Sequence, residues 1–143
     1  MDNSFSIGER QFKLSKINAM KQYHIVRRIA PILGEMLPAM KDIAKAHESK
    51  TMTEDEKLDQ AVRFAGPIMN GLSKLSDKDS EVVLYGLLAA VEMKQGEHGN
   101  WARLVNGDIL AFDNIELPVL LQAAGRSFMY NMAGFFDVLQ RSS

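Results

Sequence analysis

The sequence contains no cysteine. That one absence excludes disulfides, thiol nucleophiles and thiolate-ligated zinc, and it suits a reducing cytoplasm. No apolar run approaches the roughly 20 residues that a membrane-spanning helix needs. Strong charge of either sign is missing too. Lys+Arg 17 against Asp+Glu 18 leaves a formal charge of -1, so bulk attraction to nucleic acid or to an anionic membrane is not expected. The start, Met1-Asp2-Asn3-Ser4, lacks the basic and apolar regions of a secretory signal.

Catalytic motifs are also absent. The three histidines, His24, His47 and His98, include no pair four residues apart and no His-Glu-x-x-His, the spacing that puts two ligands on one helix face. There is no Gly-x-Ser-x-Gly elbow and neither of the glycine-rich phosphate loops. The carboxylate groups Glu54/Asp55/Glu56 and Asp77/Asp79 read as helix N-terminal charges rather than acid–base dyads. The expectation is a protein with no catalytic residues, no cofactor and no metal.

What remains is a chain of 143 residues, 46% hydrophobic and 24% charged. That is ordinary for one soluble globular domain, which at this length buries roughly 68–70% of its unfolded surface. A single domain over residues 1–143 is expected, with 1–3 and about 47–52 flexible.

Periodicity changes along the chain. Phe5, Ile7, Phe12 and Leu14 alternate around Gly8–Gln11, the pattern of a β-hairpin near residues 4–15. From about residue 17 the spacing becomes helical through Ile17, Met20, His24 and Arg27 or Ile29. Pro31 predicts a break near Ala30, with a less regular continuation to about residue 46. Thr53 to Glu56 reads as a capped start for a second helix. Ser76-Asp77-Lys78-Asp79 does the same for a third, which carries Val82, Val83, Leu84, Leu87, Leu88 and Val91. Asn106-Gly107, between strand-like flanks, predicts a second hairpin over residues 101–112. A last helix begins near Leu117-Pro118, with Leu121, Ala124, Phe128, Asn131 or Met132, Phe135 and Leu139 along its stripe. The fold class is therefore α+β and predominantly α-helical: an N-terminal β-hairpin, three to four helices, a second β-hairpin and a C-terminal helix.

Two stretches suggest a working surface. Arg10, Lys13, Lys16, Lys21, Arg27 and Arg28 face Glu9 alone between residues 9 and 28. This stretch is weighed as a nucleic-acid footprint and, ahead of that, as a patch for an acidic protein partner, with neither displacing the plain reading. Edge lysines and a solvated helix face are the plain alternative. The last helix concentrates Phe128, Met129, Met132, Phe135 and Phe136, and deformable thioethers suit a surface that accommodates partner helices. Ordinary core filling uses the same residues and is the leading single explanation for them.

Phe5-Ser-Ile-Gly-Glu-Arg-Gln-Phe12-Lys-Leu14, followed by Lys21-Gln-Tyr-His-Ile-Val-Arg-Arg28 and Ile29-Ala-Pro-Ile-Leu33, resembles the tail assembly chaperones of bacteriophages and prophages. The resemblance continues through Trp101-Ala102, Asp113-Asn-Ile-Glu-Leu-Pro118 and Asn131-Met-Ala-Gly-Phe-Phe136, and leaves out about residues 41–75. It implies a non-enzymatic protein of the bacterial cytoplasm that coats the helical tape measure protein and keeps it soluble until tail tube subunits polymerise around it. In several such systems a frameshift gives a longer form, and this chain would correspond to the short one. The expected partner-binding residues are Phe128, Met132, Phe135 and Phe136 as an apolar groove, with Lys21, Arg27 and Arg28 orienting the client. Self-association is a further expectation. The competing readings are a nucleic-acid-binding regulator of a mobile element and a structural tail component retained in the virion.

Overall fold

Alternating apolar residues make the first two strands, β1 (Ser4–Ile7) and β2 (Arg10–Leu14), an antiparallel pair with Phe5 opposite Phe12. These and all later features belong to a computed structural model that describes residues 3–34, 69–96, 99–107, 109–112 and 114–142, with the backbone alone from 133 onward. Ile7 pairs with Arg10, so the connection is Gly8-Glu9, shorter than the Gly8–Gln11 turn expected. Gly8 supplies the positive φ of +61° that the tight turn demands. The Phe5 and Phe12 rings stack at 5.0 Å and bury the inner face of the hairpin.

Asn18 then resets the chain. Its side chain accepts a hydrogen bond from the Lys21 amide at 2.9 Å and caps α1 (Ala19–Ile29). Ile17 therefore lies outside the helix, and the buried stripe is Ile25 and Ile29. The expected stripe through Met20 and His24 is out of phase, and both residues are exposed. The break at Ala30 is present as a 3-10 turn, Ala30–Ile32, containing Pro31.

The capped start at Thr53, the loop at 47–52, His47, His98 and the continuation beyond residue 34 lie outside the described residues. Residues 69–72 are helical. Ser76 caps α2 (Asp77–Leu88) by accepting from the Asp79 amide at 3.1 Å, with Asp77 and Asp79 at the positive end of the helix dipole. Val91 does not continue this helix, contrary to the periodicity. It opens β3 (Val91–Lys94), which pairs with β2 and places Phe12 beside Met93. Val91 falls three and four residues after Leu88 and Leu87, so helical spacing and strand burial coincide at that position.

The second hairpin is also redistributed. β4 (Trp101–Arg103) joins β3 to complete a four-stranded antiparallel sheet of order β1-β2-β3-β4. Only β5 (Val105–Asn106) and β6 (Ile109–Leu110) form the hairpin, and residues 107 and 108 connect them instead of Asn106-Gly107. Leu104, fully buried, links the two sheets: its amide donates to Val91 O and its carbonyl accepts from the Ala111 amide.

α3 (Leu117–Ser142) closes the fold. Every residue from 121 to 128 on it is buried, and Phe12 and Phe128, each with no exposed surface, are among its largest core members. Truncating a buried Phe typically costs about 3–5 kcal/mol. Polar side chains fix the helix in place. Asn131 accepts from the Ile17 amide at 2.6 Å and donates to Ser15 O at 3.2 Å. The Ser127 hydroxyl donates to Leu87 O at 2.8 Å, tying α3 to the end of α2. The described elements share one core, in an α+β fold dominated by helix.

A basic-rimmed cleft as the candidate functional site

The basic residues of the N-terminal stretch do not act as one patch. Arg10 turns inward, donating to Asn114 O and Met93 Sδ. Lys13 lies 4.7 Å above the Trp101 ring. Lys16 lies 4.0 Å above the Tyr130 ring and donates to Tyr130 O. These three cations hold the sheet and the start of α1 against the rest of the fold. Arg27 is exposed beside Tyr23, with its guanidinium 5.9 Å from the ring.

Arg28 and Lys21 border a cleft of about 520 Å³ between α1, α2 and the β5–β6 hairpin. Ile25 from α1, Val82, Tyr85 and Ala89 from α2, and Val105 supply apolar lining. Its polar lining includes Lys21, His24, Arg28 and Arg103. Gly86 sits close against α1: a Cβ there would lie 3.1 Å from Ile25 Cδ1, a tight contact that the Ile25 side chain would have to relieve. Arg28 is neutralised, its Nε 3.0 Å from Asp79 Oδ1, and it also donates to His24 O. Lys21 and Arg103 are exposed, and no described residue forms an ion pair with either. Asp108, next to Gly107 in the sequence, is outside the described residues.

The other expected site residues are placed differently. Phe128 and Met132 are interior, at 0% and 1% exposure, so they fill the core rather than line an open groove. Phe135 and Phe136 lie on α3, and their side chains are outside the description. The broad apolar coverage of α3 reflects a helix packed along much of its circumference. Arg103, Val82, Tyr85 and Val105 were not foreseen as site residues. Val82 and Tyr85 are three apart on α2 and Arg103 and Val105 two apart, but the two pairs come from different segments and no single local spacing joins them.

One further charged group is unusual. Arg126 on α3 is 7% exposed, its guanidinium lies 4.9 Å above the Phe5 ring, and its Nε has no hydrogen-bond partner. Desolvation lowers its pKa well below the usual guanidinium range, to about 10, so it remains charged at neutral pH. Among the described residues no group of three or more His, Asp or Glu side chains is placed to hold a metal ion. No helix there is long and apolar enough to cross a membrane.

The cleft thus combines an apolar lining with two exposed cations, Lys21 and Arg103, at its edge. The model of the phage tail assembly chaperone proteins, TAC, matches residues 8–143, and the chain belongs to that family. No curated protein and no solved structure gives a significant match.

Proposed function

We propose that the chain is a non-enzymatic chaperone that binds the tape measure protein of a phage or prophage tail and promotes assembly of the tail tube around it. The observation that carries this reading is the family match over nearly the whole chain. The physics of the role is simple. A long helical client with exposed apolar stripes aggregates unless those stripes are covered, and a groove with an apolar floor covers them reversibly. A charged rim adds orientation and a fast encounter more than raw affinity.

The test is co-expression. The tape measure protein of the same phage or prophage should remain soluble in its presence, sediment as aggregate in its absence, and co-purify with it. A client equally soluble alone would overturn the reading. The internal use of Arg10, Lys13, Lys16 and Arg28 leaves little of the basic stretch for a nucleic-acid footprint.

A further inference from the structure

We propose that the cleft between α1, α2 and the β5–β6 hairpin takes an acidic amphipathic helix of a protein partner. The proposal rests on the chaperone reading for the partner's nature and on the cleft for its chemistry. A volume of about 520 Å³ falls in the range of true ligand sites, roughly 300–1,000 Å³, and exceeds a packing defect. Its apolar lining, Ile25, Val82, Tyr85 and Val105, calls for apolar side chains that a polyanion such as nucleic acid does not carry.

The charges are uneven in a telling way. Asp79 answers Arg28, but nothing described answers Lys21 or Arg103. Glu92 stands opposite Arg103 in the sheet register and makes no ion pair with it. Lys21 comes from α1 and Arg103 from β4, so the unmatched cations approach from two separate elements. The complementary ligand carries apolar residues on one stripe with carboxylates beside them. An amphipathic helix presents both within two turns.

The experiment uses the full chain and two dye-labelled synthetic peptides of about five helical turns. The peptides share apolar residues at helical spacing, and one has Glu and the other Lys at the flanking positions. Fluorescence anisotropy should show the Glu peptide binding about tenfold more tightly than the Lys peptide, with the difference shrinking as salt rises. The double variant K21E/R103E should invert the preference. Both residues are exposed, and Glu at position 21 falls where a capping-box carboxylate belongs, so the helix start is not harmed. If the reversal variant melts early, K21Q/R103Q replaces it, and it should weaken the Glu peptide about tenfold.

Equal binding of the two peptides, no binding of either, or a preference unchanged by the folded variant would overturn the assignment. So would duplex DNA retention abolished by K21Q/R103Q, which would make the cleft a polyanion site. A dimer that dissociates on the same substitutions would instead assign it to a second copy of the chain. Co-expression separates this proposal from the one beneath it. If wild type fails to protect the tape measure protein while binding the Glu peptide, the chaperone reading falls and the cleft stands. If K21E/R103E still protects it as wild type does, the cleft assignment falls and the chaperone reading stands.

Discussion

Arg126 brings a full charge into the interior with a phenylalanine face as its described company. A cation over a ring gains about 0.5–2 kcal/mol, less than the several kcal/mol that desolvating an ion costs. Replacing it with Met, similar in length and free of charge, should leave the melting temperature unchanged or raise it; a fall of several degrees would show that the guanidinium is held more strongly than its contacts indicate. The pH dependence follows from the direction of the shift. The folded-state pKa is below the unfolded one, so the penalty is constant below about pH 10 and is relieved only as pH rises from there toward the ordinary guanidinium range. Between pH 6 and 9 this residue should contribute no slope to stability, measurable by melting wild type and R126M in parallel. Asn131 poses the opposite case. Asn131→Leu removes the acceptor of the buried Ile17 amide and should cost about 1–3 kcal/mol. That corresponds to a drop of roughly 2–4 °C in Tm for each kcal/mol in a chain of this size. An unchanged Tm would mean that the contact is incidental.

The β5–β6 hairpin depends on Gly107, whose φ is +68°. Gly107→Ala should cost about 1–2 kcal/mol because a Cβ is strained there, whereas Gly107→Asn, tolerant of that conformation, should cost less; equal melting temperatures for the two would contradict the turn geometry. Gly86 offers a second test of packing. Gly86→Leu sets a side chain against Ile25 and should lower stability by about 1–3 kcal/mol through overpacking, read as an earlier melt. At this scale the sequence was legible wherever one local signal dominated. Ser76 announced α2, the alternation from Phe5 to Leu14 announced the first hairpin, and Pro31 announced the break after α1. It was illegible where two signals coincided. Val91 fits both a helical stripe and a strand, and only pairing with β2 decides between them. Trp101–Arg103 reads locally as one arm of a hairpin because its true partner, β3, begins at Val91, where the helical spacing has not yet run out. The cleft was hidden for a related reason: its lining is gathered from α1, α2 and the segment after β4, so no window of sequence contains it.

Across the whole molecule, charge of both signs and a net value of -1 argue against indiscriminate binding. A gel-shift titration with duplex DNA at physiological salt should show no retention; retention falling steeply as salt rises would restore a nucleic-acid role. The sheet order also bears on how the chain comes into being. β2 lies between β1, its neighbour in sequence, and β3, so Arg10 meets Met93 across 83 positions. Asn131 reaches Ser15 across 116. During synthesis, at about 5–20 residues per second, the stacked Phe5–Phe12 hairpin therefore waits several seconds before β3 emerges to cover its other edge, and longer for α3. An isolated hairpin is marginal in water. A nascent chain released after residue 112 would have its strands but no closing helix over the Phe5 and Phe12 rings, and limited proteolysis should find it unfolded while the full chain resists. A protein proposed to keep another chain from aggregating thus begins life exposed to the same hazard until its own last helix is made.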